Sequence, residues 1–257
     1  MIISNIYDTP SLKVCAATCF VWYTIAAPHL HHTLKLRWWN TVTARADLNP
    51  LAALHELGLL PLVKKVHFPS DMYQSPWVVP ETFDSESFRY FSVLSNVQDL
   101  IITNLDLSKF TSSIGNYFGH FSPTLRSITL LFLRGCPRQL LDLLRLFPKL
   151  DDIKIVRYSG TIETHNSLDT KSAQIRGSLQ GRLTLNGFWD QKLLEEVIAS
   201  LGGMRFISMD LDDVVPGAQL LLDACAGTLQ TLCFHPESLF HSCKMFLEEA
   251  VTPPELT

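Results

Sequence analysis

The sequence carries little charge for its size. Only 18% of its 257 residues are Asp, Glu, Lys or Arg, whereas 47% are hydrophobic. A chain this apolar must bury most of its length, which excludes disorder on a large scale. The formal net charge is −4 and no Lys/Arg-rich run occurs, so we expect neither nucleic acid nor a membrane surface as a partner.

The sequence also lacks the short motifs that mark common active sites. It contains no Gly-x-Ser-x-Gly, no P-loop, no His-Glu-x-x-His and no kinase signature. Two carboxylate pairs, Asp151-Asp152 and Asp212-Asp213, are interpreted as solvated residues at strand edges rather than as a general acid and base. We therefore predict a protein that is not an enzyme and that uses no cofactor.

None of the six cysteines forms a Cys-x-x-Cys pair, and no Asn-x-Ser/Thr sequon occurs. Both absences favour a reducing, intracellular location, in the cytoplasm or the nucleus. The apolar stretch 14–27 lacks a positively charged preceding region and is short for a membrane span. Cys15 and Cys19 could form a zinc site with nearby histidines, but their spacing suits one helix face as well, and we predict core packing and no metal.

Internal repetition is the main positive signal in the chain. An apolar residue, two variable residues and then apolar–variable–apolar recur, which is the alternation of a half-buried strand. The spacing between successive central anchors lies between 24 and 34 residues. These anchors are Val66, Leu100, Ile128, Ile153, Leu183, Ile207 and Leu232, with an earlier copy at Leu34.

The segments between these strands have helical patterns. Asn49-Pro50 begins a helix that Gly58 ends, with Leu51, Leu54 and Leu57 as its apolar stripe. Further helices are predicted after Pro137, over 190–202 and over 217–226, whereas 69–80 is interpreted as an insertion and 158–177 as a long loop. The helix after Pro137 has an apolar face formed by Leu140, Leu141, Leu144 and Phe147.

A strand–helix unit of about 25 residues cannot bury its own apolar face, but stacked units can cover one another. The predicted fold class is therefore α/β: a leucine-rich-repeat-like, right-handed strand–helix solenoid, a horseshoe with a parallel concave sheet and helices outside. A doubly wound sheet is the alternative, although no glycine-rich phosphate loop follows any strand.

Residues that alternate with the anchors should point away from the core, onto the concave face. Their mixed charges and hydrogen-bonding groups suit recognition of a target protein, although every solenoid has a solvated face of this kind. The predicted target-binding residues are Lys65, His67, Asp99, Thr129, Asp152, Lys154, Arg182, Thr184, Ser208, Asp210 and His235.

Residues 1–36 differ from the rest and resemble the second half of an F-box. That family has an Ile-Leu-x-x-Leu segment, an Asp-Pro loop and then Leu-x-x-Cys-x-x-Val-Cys-x-x-Trp. The tail at 29–36, HLHHTLKL, is similar to that of fungal F-box proteins that continue into degenerate leucine-rich repeats. The matching residues are Ile2, Ile3, Ile6, Asp8, Pro10, Leu12, Cys15, Cys19 and Trp22.

The resemblance implies a short all-α, F-box-like segment over 1–36 followed by a leucine-rich-repeat-like solenoid over 37–257. It also implies a function: the substrate-recognition subunit of an SCF-type cullin ubiquitin ligase, which holds a target on the concave face. The alternative is a repeat-only interaction scaffold without a ligase role. The residues that would bind the Skp-type adaptor are Ile2, Ile3, Ile6, Pro10, Leu12, Cys19 and Trp22.

Two departures from these families are visible in the sequence. The Leu-Pro-x-Glu turn that usually opens an F-box has no counterpart before Ile2, so the sequence matches only the later part of the motif. Leucine-rich repeats place an Asn three residues after the last strand anchor, and no Asn stands there in this chain. Those positions hold Asp71, Leu105, Leu133, Tyr158, Phe188, Asp212 and Glu237, so we expect an irregular solenoid.

Overall fold

A computed structural model describes residues 9–36, 49–68, 92–107, 118–135, 137–160, 179–187, 194–195, 204–211 and 218–234. Within them, one eight-stranded parallel sheet follows the order of the chain. Its strands are β1 Thr33–Lys35, β2 Lys65–Phe68, β3 Asp99–Thr103, β4 Ser127–Gly135, β5 Asp152–Gly160, β6 Leu179–Asn186, β7 Met204–Leu211 and β8 Thr231–Phe234. The helices are α1 Thr9–Thr18, α2 Phe20–Leu30, α3 Asn49–Glu56, α4 Pro137–Arg145 and α5 Ala218–Cys225, with 3-10 turns at Leu60–Leu62 and Gly119–Phe121.

The strand order never reverses along this sheet. A doubly wound sheet contains a point where the order does reverse, and ligands bind there. The observed order is consistent instead with the predicted stacking of one strand–helix unit on the next. Strand β1 joins the sheet although it lies within residues 1–36, the segment that was predicted to be all-α and to precede the solenoid.

The strand anchors pair with one another across the sheet almost as predicted. Leu34 lies opposite Val66, Val66 opposite Leu100, and each following anchor continues the row as far as Leu183. All of these anchors are buried. The predicted alternation is correct because parallel strands in register bring side chains of equal phase to the same face.

The predicted anchor in β7, Ile207, is wrong. The register shifts at Gly181/Arg182, so that Phe206 lies opposite Gly181 and Ser208 lies opposite Arg182. Ile207 therefore falls in a bulge and is 46% exposed, while Met209 continues the anchor row between Leu183 and Leu232. The predicted anchor of β8 is also wrong as a core residue, because Leu232 keeps its place in the row but is 37% exposed. The bulge allows Phe206 and Met209, which lie three positions apart, to enter the core together.

Four neighbouring strands bend at the same place. Across β3 to β6, four residues lie opposite one another in one row, and the residue that follows each of them has a positive φ angle. These following residues are Asn104, Phe132, Arg157 and Gly187, with φ angles of 59°, 57°, 55° and 98°. Since a left-handed residue interrupts the alternation, the next side chains in the first three cases return to the core. These buried side chains are Leu105, Leu133 and Tyr158, at three of the positions where leucine-rich repeats have Asn.

Strand β5 is longer than the sequence suggested. It continues to Gly160, so residues 158–160 belong to the sheet and the predicted loop cannot begin at Tyr158. The Tyr158 hydroxyl donates a hydrogen bond of 2.6 Å to the Gly135 carbonyl of β4, which fixes the side chain inside the core. The rest of that predicted loop lies outside the described residues, as does the predicted insertion at 69–80.

The core lies between the sheet and helices α3 to α5. The apolar face predicted for α4 is confirmed, because Leu140, Leu141, Leu144 and Phe147 are all buried in a continuous cluster with the strand anchors. Helix α5 contributes Leu221 and Cys225 to the same cluster. Of the helix predicted over 190–202, the structure describes only residues 194–195, which are helical.

Helix α3 ends as the glycine at position 58 predicts. Gly58 has a φ of 66°, and the N–H groups of Gly58 and Leu59 donate to the carbonyls of His55 and Leu54, which is a Schellman motif. The predicted apolar stripe is wrong at its last member. Leu57 follows the last helical residue and is 67% exposed, because the chain turns away from the core at this point.

The N-terminal segment folds as a helical hairpin rather than as one helix. Cys19, with φ −163° and ψ 166°, separates α1 from α2, so Cys15 and Cys19 do not lie on one helix face. The predicted core packing is wrong for Cys19, which is exposed. The break folds α2 back onto α1, and Leu12 then packs with Ala26 in a cluster distinct from the sheet core. A straight helix could not bring these two residues together.

Candidate binding face of the sheet

The strands present regular rows of side chains on the side opposite the core, which we call the outward face. The register places one residue of each strand in the first row and the residue two positions later in the second row. The first row is Thr33, Lys65, Asp99, Ser127, Asp152, Arg182, Ser208 and Thr231. The second row is Lys35, His67, Ile101, Thr129, Lys154, Thr184, Asp210 and Cys233.

Ten of the eleven target-binding residues predicted from the sequence lie in these two rows. Their side chains are half-buried or exposed with one exception, Thr184, which is only 7% exposed. His235 lies outside the described residues. The prediction placed Ser208 and Asp210 on the outward face even though its anchor, Ile207, was wrong. The true anchor, Met209, lies two positions later, so both anchors predict the same alternation of faces along the rest of β7.

Asp152 is influenced by charged neighbours on both sides of its strand. Partial burial raises the pKa of its carboxyl group, and the neighbouring charge of Asp99 raises this pKa further, while Arg182 and Lys154 act in the opposite direction. The nearest cationic neighbour in the row, Arg182, makes an ion pair of 3.7 Å with Asp210. Asp152 therefore remains a partly desolvated carboxylate whose nearest cation is shared with another acid.

The β1–β2 end of the outward face is basic. Burial lowers the pKa of His67, and the charges of Lys35 and Lys65 lower it further. Each of these three residues occupies one of the two rows, so their spacing is set by the sheet itself. Near neutral pH this end therefore presents two ammonium groups beside an uncharged imidazole.

A third row, with two apolar residues between Thr103 and Asn186, completes the outward face and was missed by the sequence interpretation. Leu131 pairs with Thr103 on one side and with Val156 on the other, two positions beyond the second row. Leu131 and Val156 are half-buried. Continuing the same alternation two positions beyond the predicted residues of β4 and β5 would have identified this row.

The predicted adaptor-binding residues fall into three groups. Pro10 and Cys19 are exposed, whereas Leu12 is buried inside the hairpin and Trp22 packs partly against the same cluster. Leu12 can therefore support docking only by holding α1 against α2. The residues Ile2, Ile3 and Ile6 lie outside the described residues.

The hairpin also exposes large apolar side chains that the sequence interpretation did not select. Val14, Phe20 and Val21 are 69%, 77% and 64% exposed. We call these three residues the apolar face of the hairpin. A signal for them was present, because Lys13 is the one charged residue between positions 9 and 28. A helical pair with so few charges cannot hide all of its apolar residues.

No group of three or more His, Cys, Asp or Glu side chains that could hold a metal ion occurs within the described ranges. Among those residues, no helix combines the length and the apolarity needed to cross a membrane.

No protein-family model matches the chain, and no curated protein or solved structure is similar enough to count as a match.

Proposed function

We propose that the protein is the substrate-recognition subunit of an SCF-type cullin ubiquitin ligase. In this proposal the chain is a leucine-rich-repeat-like solenoid that follows an F-box-like hairpin. The hairpin binds a Skp-type adaptor, and the outward face, which would be the concave face of the solenoid, binds a target protein. The protein then brings target and ligase together without catalysis of its own, in the cytoplasm or the nucleus.

The observation that carries the proposal is the apolar face of the hairpin. Val14, Phe20 and Val21 project from two short helices in which, over residues 9–30, Leu12, Ala26 and Ala27 are the buried side chains. Exposed apolar side chains concentrated on a small element are typical of a protein–protein contact. The residues at 2–22 that resemble an F-box include this element.

The second support is the outward face. Its two polar rows cross all eight strands and mix both charge signs with hydroxyl groups, and the half-buried Leu131 and Val156 lie beside them. Protein interfaces combine an apolar patch with a polar surround in this way. A polyanion would be repelled by Asp99 and Asp152 at its centre.

The adaptor role is tested by co-expression with a Skp-type adaptor and co-purification. Two versions of the chain are compared: the sequence as it stands, and the same sequence with a Leu-Pro-x-Glu segment added before Met1. In the version that binds, the double substitution Phe20→Asp and Val21→Asp should abolish co-purification. Leu57→Asp is the matched control, because Leu57 is equally exposed but lies in the solenoid. Absence of binding by both versions would overturn the adaptor role.

The second candidate is a repeat-only scaffold that binds a partner through the outward face. The burial of Leu12 and the partial burial of Trp22 favour it, because the resemblance assigns both residues to adaptor docking whereas the fold uses them inside the hairpin. The scaffold would bind its partner equally well after Phe20→Asp and Val21→Asp. A loss of partner binding in that variant would contradict it.

A further inference from the structure

The first row of the outward face has a symmetric arrangement of charges. Over five consecutive strands, β2 to β6, the paired residues are Lys65, Asp99, Ser127, Asp152 and Arg182. The order of charge is positive, negative, neutral, negative, positive. We call these five residues the charged row.

Within the described part of the chain, members of the charged row make no ion pair with one another, although Lys65 lies opposite Asp99 and Asp152 opposite Arg182. Arg182 makes an ion pair of 3.7 Å with Asp210 of the second row. Asp99 and Asp152 are two strands apart, or about 9.6 Å at the usual strand separation. The two like charges repel each other, and a cation placed above Ser127 would relieve that repulsion.

We propose, on the basis of the target-binding function above, that the charged row binds a target peptide with a basic residue between two acidic ones. The basic side chain lies over Ser127 between Asp99 and Asp152. The two acidic side chains lie against Lys65 and Arg182. Charge complementarity along the whole row selects this occupant over a uniformly basic or uniformly acidic segment.

The geometry of the row also selects a backbone conformation for this peptide. The distance from Lys65 to Ser127, and from Ser127 to Arg182, is two strand separations, or about 9.6 Å. A polyproline II helix has three residues per turn and rises about 9.3 Å in one turn, so every third side chain returns to the same face. A β-strand would turn the side chain three positions away to the opposite face. The inferred motif is therefore acidic-x-x-basic-x-x-acidic in a polyproline II conformation.

Synthetic peptide arrays provide the test. One set of proline-rich peptides holds a single Arg between two Glu residues at spacings of two, three and four. Control peptides contain the same residues in scrambled order, and others are entirely acidic or entirely basic at the charged positions. The purified full chain should prefer the spacing of three over scrambled peptides by about tenfold, the ratio given by about 1.4 kcal/mol of exposed charge pairing.

Substitutions in the row should change this preference in a defined direction. Asp99→Asn with Asp152→Asn should remove the preference for a central Arg, whereas Asp99→Lys with Asp152→Lys should transfer it to entirely acidic peptides. Asp151→Asn is the matched control, since Asp151 adjoins the row but pairs with Arg126 at the strand edge. Circular dichroism should confirm that each variant remains folded.

Equal binding of scrambled peptides, stronger binding of entirely basic peptides, or no binding of any peptide would overturn the inference. So would an unchanged preference in the Asp99→Asn, Asp152→Asn variant. The adaptor experiment is independent, because it uses the hairpin alone as the site of change. Failure on the arrays with intact adaptor binding would overturn the peptide motif and leave the ligase proposal standing.

Discussion

The hairpin and the sheet bury apolar surface in very different ways. The sheet shares one continuous core with α3 to α5, and successive strands add residues to the same rows. The hairpin has a separate cluster around Leu12 and Ala26, and it leaves its apolar face exposed. Because hydrophobic stabilisation scales with the area removed from water, the sheet should be the stable part and the hairpin the marginal one.

The two regions also offer different kinds of candidate binding surface. The outward face of the sheet is polar and held in fixed register, so its charges have defined positions before any partner arrives. The exposed side chains of the hairpin are not positioned by pairing between strands. A partner that covered them would also stabilise the hairpin. Substitutions in each region can test this division, beginning with those that should cost the most stability.

The largest effect is expected from Phe147→Ala in the sheet core. Phe147 is fully buried in the cluster that joins α4 to the strands. Removing a buried phenyl ring should lower the free energy of unfolding by about 3–5 kcal/mol. Denaturant unfolding followed by circular dichroism measures the change. A loss below about 1 kcal/mol, the typical cost of an unexceptional substitution, would show that the core is not continuous there.

Gly181→Ala should be the next most damaging change. Gly181 has a φ of 96°, and an added Cβ atom would meet the backbone of Asp151, within 2.0 Å of its carbonyl oxygen. The same carbonyl accepts the Arg182 N–H at 2.7 Å, so β6 would have to move away from β5. We expect a loss of about 2–4 kcal/mol. Gly227→Ala, which meets no atom within 4 Å, is the control and should be close to neutral.

Leu12→Ala should destabilise the hairpin without affecting the sheet, because Leu12 packs only in the hairpin cluster among the described residues. A loss of about 2 kcal/mol, at the low end for buried leucines, is expected since a cluster this small can relax. Hydrogen exchange should show faster exchange in α1 and α2, with β3 to β5 unchanged. Equal acceleration in the sheet would mean that hairpin and sheet unfold as one unit, which contradicts the division drawn above.

Tyr158→Phe tests a polar contact inside the sheet core. The substitution removes the hydroxyl that donates to the Gly135 carbonyl and leaves that buried acceptor without this partner. The expected loss is about 1 kcal/mol, with little change in side-chain packing. Thermal unfolding should show a lower midpoint than in the unchanged protein, and a neutral result would place water at the carbonyl.

The smallest effect is a pH dependence from Asp152. Its pKa is raised in the folded state, so the folded protein binds this proton more tightly than the unfolded chain does. Stability from this group is therefore present at acidic pH and is lost as pH rises from the ordinary aspartate pKa through the raised one. Asp152→Asn removes that loss and should stabilise the protein at neutral pH by well under about 1 kcal/mol, because Asp152 is partly exposed.

The free energy of unfolding should be measured across that pH range for the unchanged protein, for Asp152→Asn and for Ser127→Ala. The measurement shows whether Asp152→Asn raises or lowers stability at neutral pH. The Ser127→Ala control changes a neighbour in the charged row without removing a charge, so it should follow the pH dependence of the unchanged protein. A less stable Asp152→Asn variant at neutral pH would show that the attraction of Arg182 and Lys154 outweighs burial.

The sequence predicted the sheet better than it predicted the hairpin. In the strands, the alternation of apolar and variable residues identified the anchors from Leu34 to Leu183, since each anchor is buried by the same local rule. It failed at Ile207, because the bulge in β7 depends on a register shift against Gly181. In the hairpin, the spacing of Cys15 and Cys19 suited one helix face, and nothing local indicated the break at Cys19.

The candidate site divides in the same way. The outward positions of Lys65, Asp99 and Asp152 follow from the alternation, and so their presence on one face was predicted. Their order as a symmetric charged row was not, because it depends on which residue of one strand lies opposite which residue of the next. The apolar face of the hairpin depends likewise on how α2 folds back onto α1.

The strand anchors from Leu34 to Leu183 and the sparse charge along α1 and α2 could be read from the sequence. These properties are local, since they follow from the alternation and composition of neighbouring residues. The tertiary structure alone decided the register between strands, the left-handed residues at Phe132 and Arg157, and the packing of Leu12 against Ala26. These depend on contacts between distant segments, whose free energy no single segment contains.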